Sequence, residues 1–192
     1  MSQIVPSGFG EETNSLAYPL NDFYSRNSQS LPPMESIEPG KIPEPYRSLL
    51  VHQSDMTSTL EQFHRGSIRL HIVSQAKRGA EYFREVALML EKSAKPVEFG
   101  AIRIKLDLFP AAAQKEILKE HWPLGRILKQ FNIQFISEPR GFLRIASDKL
   151  IDRILNLTGA HLLYGRRNTL WNAERASLAE IVEILPPAQT QI

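Results

Sequence analysis

Alternation of apolar and charged side chains is clearest in the middle of this chain. Residues 101–109 alternate strictly, which predicts a half-buried β-strand. Residues 67–76 and 81–90 show a similar period of two, and the connections between the three segments are short. Consecutive strands with short connections favour antiparallel pairing and a sheet with one covered face.

Helical and strand patterns are grouped rather than strictly alternating. Helical spacing is found in two pieces over residues 46–65, after Pro110, after Pro123 and over residues 148–155. Further strands are predicted as a hairpin, 133–136 with 141–146, and as a last pair, 161–171 with 178–185. The sequence therefore predicts a single α+β domain, an antiparallel β-sheet with helices packed on it.

The first 45 residues differ from the rest in composition. Ser, Asn, Pro, Gly and Glu dominate and no period persists, which indicates a largely irregular N-terminal extension. We therefore predict an extension over residues 1–45, one domain over 46–187 and a C-terminal tail over 188–192. The candidates to dock the extension on the domain are Leu16, Tyr18, Leu20, Phe23 and Tyr24.

Composition excludes several classes of function. The chain has 192 residues, no cysteine and a formal net charge of +2. A disulfide framework, a thiolate nucleophile and Cys-based metal sites are excluded, and so small a charge does not indicate a nucleic-acid partner. The five histidines lack the tight pairings of metal sites, and glycine-rich phosphate loops are absent. We expect neither metal nor cofactor.

The sequence also bears on localisation. The longest uninterrupted apolar stretch, Val86 to Leu90, is far shorter than the roughly 20 residues of a membrane-spanning helix. No secretory signal is evident at the N-terminus. A protein without cysteine fits a reducing compartment, so we expect a cytoplasmic protein with no transmembrane segment.

Arg84 is the residue that breaks the apolar pattern. On the predicted strand it shares a face with Tyr82, Val86 and Leu88. A guanidinium keeps its charge, and removing one from water without an anion costs several kcal/mol. Arg84 therefore needs a carboxylate or phosphate, from either a neighbouring Glu or a ligand. Internal pairing is the commoner outcome for a buried cation.

Five short segments, in order along the chain, resemble chorismate lyase. The resemblance spans residues 46–187 and extends to a broader group of chorismate-lyase-like proteins, whose fold is shared by the ligand-binding domain of some transcription regulators. The segments are Ser54-Asp55-Met56-Thr57 with Leu60-Glu61, Tyr82 to Leu88, Pro123 to Leu128, Gly165-Arg166-Arg167 and Val182 to Pro186.

The resemblance implies release of pyruvate from chorismate to give 4-hydroxybenzoate for quinone biosynthesis, without metal or organic cofactor. It further implies that Arg84 holds the ring carboxylate together with the backbone N–H groups of Met56 and Leu124, and that Glu183 meets the ring hydroxyl. Arg84 and Glu183 are then the candidate catalytic residues. All four residues are candidates to bind the substrate and the product.

Several alternatives remain open at this point. Glu180, on the opposite strand face, rivals Glu183, and either Arg166 or Arg167 is a candidate to meet a second carboxylate. The competing function is a non-catalytic binding module that senses a small carboxylated aromatic ligand. The first 45 residues contain no helix-turn-helix, which favours the enzyme over a regulator. A lyase for a modified chorismate is a third alternative, and the oligomeric state stays open, with a monomer compatible.

Overall fold

The computed structural model describes residues 15–188, so the first 14 residues of the extension and the last four of the tail lie outside the described part. Seven antiparallel strands form one sheet in the order β1-β5-β6-β7-β4-β3-β2. The strands are β1 (Met34–Ser36), β2 (Ile68–Arg78), β3 (Glu81–Leu90), β4 (Pro96–Lys105), β5 (Ile136–Ala146), β6 (Leu162–Trp171) and β7 (Ser177–Leu185).

Six α-helices lie in the described part of the chain, with two short 3₁₀ turns at Pro39–Lys41 and Leu106–Leu108. None of these helices is long and apolar enough to cross a membrane. The α+β class and the antiparallel sheet are confirmed. The helices are α1 (Leu20–Arg26), α2 (Tyr46–Leu50), α3 (Met56–His64), α4 (Ala111–Lys119), α5 (Leu124–Gln130) and α6 (Lys149–Leu155).

Helices cover both faces of the sheet. On one face, α1 and α6 pack against residues such as Phe83 and Phe99. On the other face, α4 and α5 pack against residues such as Tyr82 and Ile102. Since successive strand residues point to opposite faces, each central strand supplies both cores. The end of the second face is closed by α2 and α3.

Residues 15–45 are more ordered than their composition predicts. Leu20, Phe23 and Tyr24 of α1 are buried, so their predicted docking is confirmed. The Tyr24 hydroxyl donates to Asp148 Oδ2 at 2.8 Å, at the start of α6. Strand β1 adds an edge to the sheet by pairing with β5. These elements have only seven and three residues, too few for a periodic signal in the sequence.

The strand boundaries differ from the predictions for β5 and at both ends of β4, which ends at Lys105 rather than at residue 109 because Leu106–Leu108 form a 3₁₀ turn. The predicted hairpin over residues 133–146 was wrong, because residues 136–146 form one continuous strand. Its register shifts between Pro139 and Gly141, a bulge that accommodates a residue without a backbone N–H. Strand β4 begins at Pro96 rather than near residue 101. Its first half is buried throughout and therefore does not alternate.

Packing of α1 into the core gives a stability prediction. We expect Phe23→Ala to lower the free energy of unfolding by about 3–5 kcal/mol, because Phe23 is only 1% exposed. Phe63→Ala is the matched control, since Phe63 is 49% exposed and should lose less than about 1 kcal/mol. Urea unfolding measures both. Equal, small losses would contradict the integration of α1 into the domain.

Candidate functional site

A cavity lies between the sheet and the N-terminal ends of α3 and α5. Strands β3, β4, β6 and β7 contribute to its lining. Two sets of cross-strand partners line it. Arg84 on β3 lies opposite Ile102 on β4, and the next set on the same face contains Gly100 on β4 and Glu183 on β7. The cavity holds about 550 Å³ of space between atoms, part of it open to solvent.

Arg84 is a buried cation that points into this cavity. Its exposed fraction is 2%, and its Nε and Nη1 atoms have no hydrogen-bond partner. No carboxylate of residues 15–188 lies within salt-bridge distance of it. Burial lowers the pKa of Arg84 to about 10, with Tyr82 and Glu120 acting in the opposite direction. The guanidinium is therefore still charged at neutral pH.

The alternative that a neighbouring Glu pairs with Arg84 is not what the structure shows, because the nearby carboxylates have other partners or directions. Glu81 pairs with Arg103. Glu120 accepts a short hydrogen bond from the Tyr82 hydroxyl. Glu85 follows Arg84 directly on the strand, so its side chain points to the opposite face of the sheet. Within residues 15–188, the Nε and Nη1 atoms of Arg84 are thus left without a hydrogen-bond partner.

Met56 and Leu124 also line the cavity. Each is the first residue of its helix, where the backbone N–H has no carbonyl within the helix to bond to. Asp55 caps α3 by accepting from the Ser58 N–H at 2.8 Å. The two helix starts are in contact at Gly125, where an added Cβ would lie 2.4 Å from Asp55 Oδ1. Only a glycine allows this approach without displacing the cap.

Glu183 lines the cavity, as the sequence pattern indicates, but it is not free. Its carboxylate accepts a short hydrogen bond from Arg166 Nε, forming a buried ion pair. Arg166 also donates to the carbonyl oxygens of Leu50 at 3.1 Å, His52 at 3.1 Å and Ser54 at 3.3 Å. Arg166 therefore links the connection between α2 and α3 to the sheet, and its Nε, Nη1 and Nη2 atoms all donate to acceptors within the protein.

The alternatives Glu180 and Arg167 lie on the other face of the sheet. Arg167 is paired with Glu180. Glu180 also accepts from the hydroxyls of Thr169 at 3.1 Å and Ser177 at 2.8 Å. Neither residue lines the cavity. Of the two pairs left open by the sequence, Glu183 and Arg166 are the members on the cavity side.

The sequence analysis missed Glu98 as a cavity residue. Its exposed fraction is 3%, and its Oε2 atom has no hydrogen-bond partner. Burial raises the pKa of Glu98 well above its usual range, the charge of Glu183 raises it further, and Arg166 opposes both. The sequence signal for Glu98 was its position between the apolar residues Val97 and Phe99. The predicted strand began only at residue 101, so this signal was not used.

Asn168 was missed as well. Its Nδ2 donates to Ser137 Oγ at 3.0 Å, and its side chain lines the cavity next to Ile181. Within residues 15–188 there is no group of three or more His, Cys, Asp or Glu side chains placed to hold a metal ion. Among residues 15–188, the polar side chains at this site are thus one free cation, the Arg166–Glu183 ion pair, one unpaired carboxyl, an amide, the Asp55 carboxylate that caps α3, and Thr57.

Comparison with solved structures identifies the fold. The effector domain of PhnF from Mycobacterium smegmatis gives a TM-score of 0.52 at 9% identity, covering 69% of this chain and 88% of that one. YydK of Bacillus subtilis, described as a possible transcriptional regulator, gives 0.50 at 8% identity, covering 65% and 60%. A GntR-family transcriptional regulator from Bacillus cereus gives 0.46 at 12% identity, covering 65% and 98%.

These likenesses show the fold alone, which is the chorismate-lyase-like fold. No family model matches the sequence, and no curated protein matches it either. The chain spans 64% of the length of the PhnF chain and 60% of that of YydK.

The prediction of a chorismate lyase was wrong. The similar structures named above are described as an effector domain and as transcriptional regulators. Chorismate as substrate and a place in quinone biosynthesis are withdrawn with that activity. The catalytic roles of Arg84 and Glu183 presupposed the reaction, whereas their binding roles do not. A carboxylate pocket serves an enzyme and a sensor equally, so its residues could not distinguish the two functions.

The contrast between the two buried arginines gives a prediction. We expect Arg84→Met to raise the free energy of unfolding of the ligand-free protein by about 1 kcal/mol or more, because it removes a buried charge that has no counter-ion. Arg166→Met should instead lower it by about 3–5 kcal/mol, because Glu183 would lose its partner. Chemical denaturation of both variants measures the difference. Destabilisation by Arg84→Met would show that Arg84 has a counter-ion within the protein.

Proposed function

We propose that this chain is a non-catalytic ligand-binding module, and that Arg84 binds the carboxylate of a small aromatic ligand in the cavity. The observation that carries this proposal is the buried guanidinium with two free donor atoms, Nε and Nη1. A planar guanidinium matches a carboxylate with two parallel hydrogen bonds, and each charge-assisted bond is worth about 1.5–3 kcal/mol. A bound carboxylate would also offset the desolvation cost of the cation.

The two helix starts support an anionic ligand. The first N–H groups of α3 and α5, at Met56 and Leu124, belong to helix ends that carry positive partial charge. Both residues line the same cavity as Arg84. In the proposed complex their N–H groups complete the carboxylate site, and the guanidinium supplies the full charge.

The apolar walls support a ring as the rest of the ligand. The lining on several sides is aliphatic, and apolar side chains give an aromatic ring a dry surface without competing hydrogen bonds. A site of this kind holds a single ring with its carboxylate directed at Arg84. The residues that form these walls are Leu70, Val86, Leu88, Leu128, Leu170 and Ile181.

Titration calorimetry tests the proposal. Benzoate and 4-hydroxybenzoate should bind the purified protein, whereas their methyl esters, with the same ring and no charge, should bind at least about tenfold more weakly. Arg84→Met should abolish carboxylate binding. Arg84→Lys should retain part of it, because the ammonium keeps the charge but lacks the planar fork.

The matched control is Arg175→Met, which removes a cation whose side chain is 68% exposed in the turn before β7. Its affinity for benzoate should equal that of the unmodified protein. Equal affinities for the acids and their esters, or carboxylate binding that survives Arg84→Met, would contradict the proposal.

A further inference from the structure

The wall of the cavity away from Arg84 has its own polar groups. Glu98 lies on β4 four residues from Ile102, the cross-strand partner of Arg84, and this separation corresponds to about 13 Å along the strand. Gly100 lies between them on the same face and contributes no side chain. The backbones of Glu98 and Ile102 therefore flank Gly100 on the cavity face of β4.

The Glu98 carboxyl leans over Gly100. A Cβ added to Gly100 would lie 2.9 Å from Glu98 Oε1 and 3.1 Å from the Val182 carbonyl oxygen. Gly100 is also the cross-strand partner of Glu183. Because Gly100 has no side chain, it leaves space for the side chains of Glu98 and Glu183 on the same wall of the cavity.

This wall contains one carboxyl group more than it has cations. Arg166 is fully buried and bonded to Glu183 and to three backbone carbonyl oxygens, so none of its described donors is directed to Glu98. The exposed fraction of Glu98 is only 3%, and its Oε2 atom has no hydrogen-bond partner among residues 15–188. Two buried carboxylates beside one guanidinium are stable only if one of them is neutral.

The direction of the Glu98 pKa shift agrees with this excess of carboxyl groups over cations. Burial and the charge of Glu183 together raise the pKa of Glu98 well above its usual range, so Glu98 is the member of the pair whose surroundings favour the neutral form. A neutral carboxyl group offers one O–H donor and one carbonyl acceptor side by side. A primary amide or a hydroxyl can satisfy both.

We propose that Glu98 is a second ligand-binding residue, which selects an uncharged hydrogen-bonding group, such as an amide or hydroxyl, at the end of the ligand opposite its carboxylate. The same wall excludes a second carboxylate, because a further negative charge would lie beside the Glu183 carboxylate and the Glu98 carboxyl. This inference rests on the proposed function, since it assumes that the first carboxylate is bound at Arg84.

Two probes of nearly equal size test the inference with the unmodified protein. 4-Carbamoylbenzoate and terephthalate differ only in an amide in place of a carboxylate, and benzoate is the reference. By calorimetry at neutral pH, the amide should bind about tenfold more tightly than benzoate, and terephthalate about tenfold more weakly. Terephthalate that binds as tightly as the amide would overturn the inference.

Variants of Glu98 assign the selectivity to this residue. Glu98→Gln keeps the shape and neutrality of the protonated side chain and should keep amide binding within about threefold. Glu98→Leu should remove the difference in affinity between 4-carbamoylbenzoate and benzoate. Glu174→Gln, in the exposed turn between β6 and β7, is the control and should change nothing. An amide preference that survives Glu98→Leu would overturn the role of Glu98.

The two proposals fail in different ways. If benzoate binds through Arg84 and the three probes have equal affinities, only the selectivity of Glu98 is contradicted. If no probe binds, or if binding does not depend on Arg84, the proposed function is contradicted as well.

Discussion

A guanidinium held out of water without a counter-ion is the constraint around which this domain is arranged. Arg84 lies on β3, the strand next to the β2 edge of the seven-stranded sheet, and lines the same cavity as the starts of two helices. Its burial costs several kcal/mol, which the packing of the surrounding layers has to offset. Proteins keep such a cost where function requires it, and an anion-binding site is the function that a free buried cation serves most directly.

The same face of the sheet contains the opposite solution to the same problem. Arg166 is also fully buried, but it is bonded to Glu183 and to backbone carbonyl oxygens of the α2–α3 connection. That arginine is part of the scaffold, since it fixes the approach to the start of α3. The scaffold arginine positions the helix whose first residue, Met56, lines the cavity, while Arg84 is the unpaired cation of the lining. The two residues look alike in sequence and differ only in their surroundings.

The sequence predicts the fold class and the position of Arg84 because both depend on period, whereas Met56, Leu124 and Glu183 are candidates only through the resemblance to a known family. The alternation on β3 places Arg84 on an apolar face, and the ordered segments bring Met56, Leu124 and Glu183 to the same cavity. Short elements such as α1 and the doubly buried start of β4 leave no periodic signal, so Glu98 was missed. The identity of each partner also depends on three dimensions. Arg166 rather than a ligand pairs with Glu183, a contact between strands that no local pattern encodes.

A crystal structure of the complex with benzoate would test the central claim most directly. The account predicts a carboxylate within about 3 Å of the Arg84 guanidinium nitrogens, with its ring between the aliphatic walls and the Arg166–Glu183 pair intact. A structure in which Arg84 pairs with a carboxylate of the protein, or in which benzoate binds elsewhere, would contradict it.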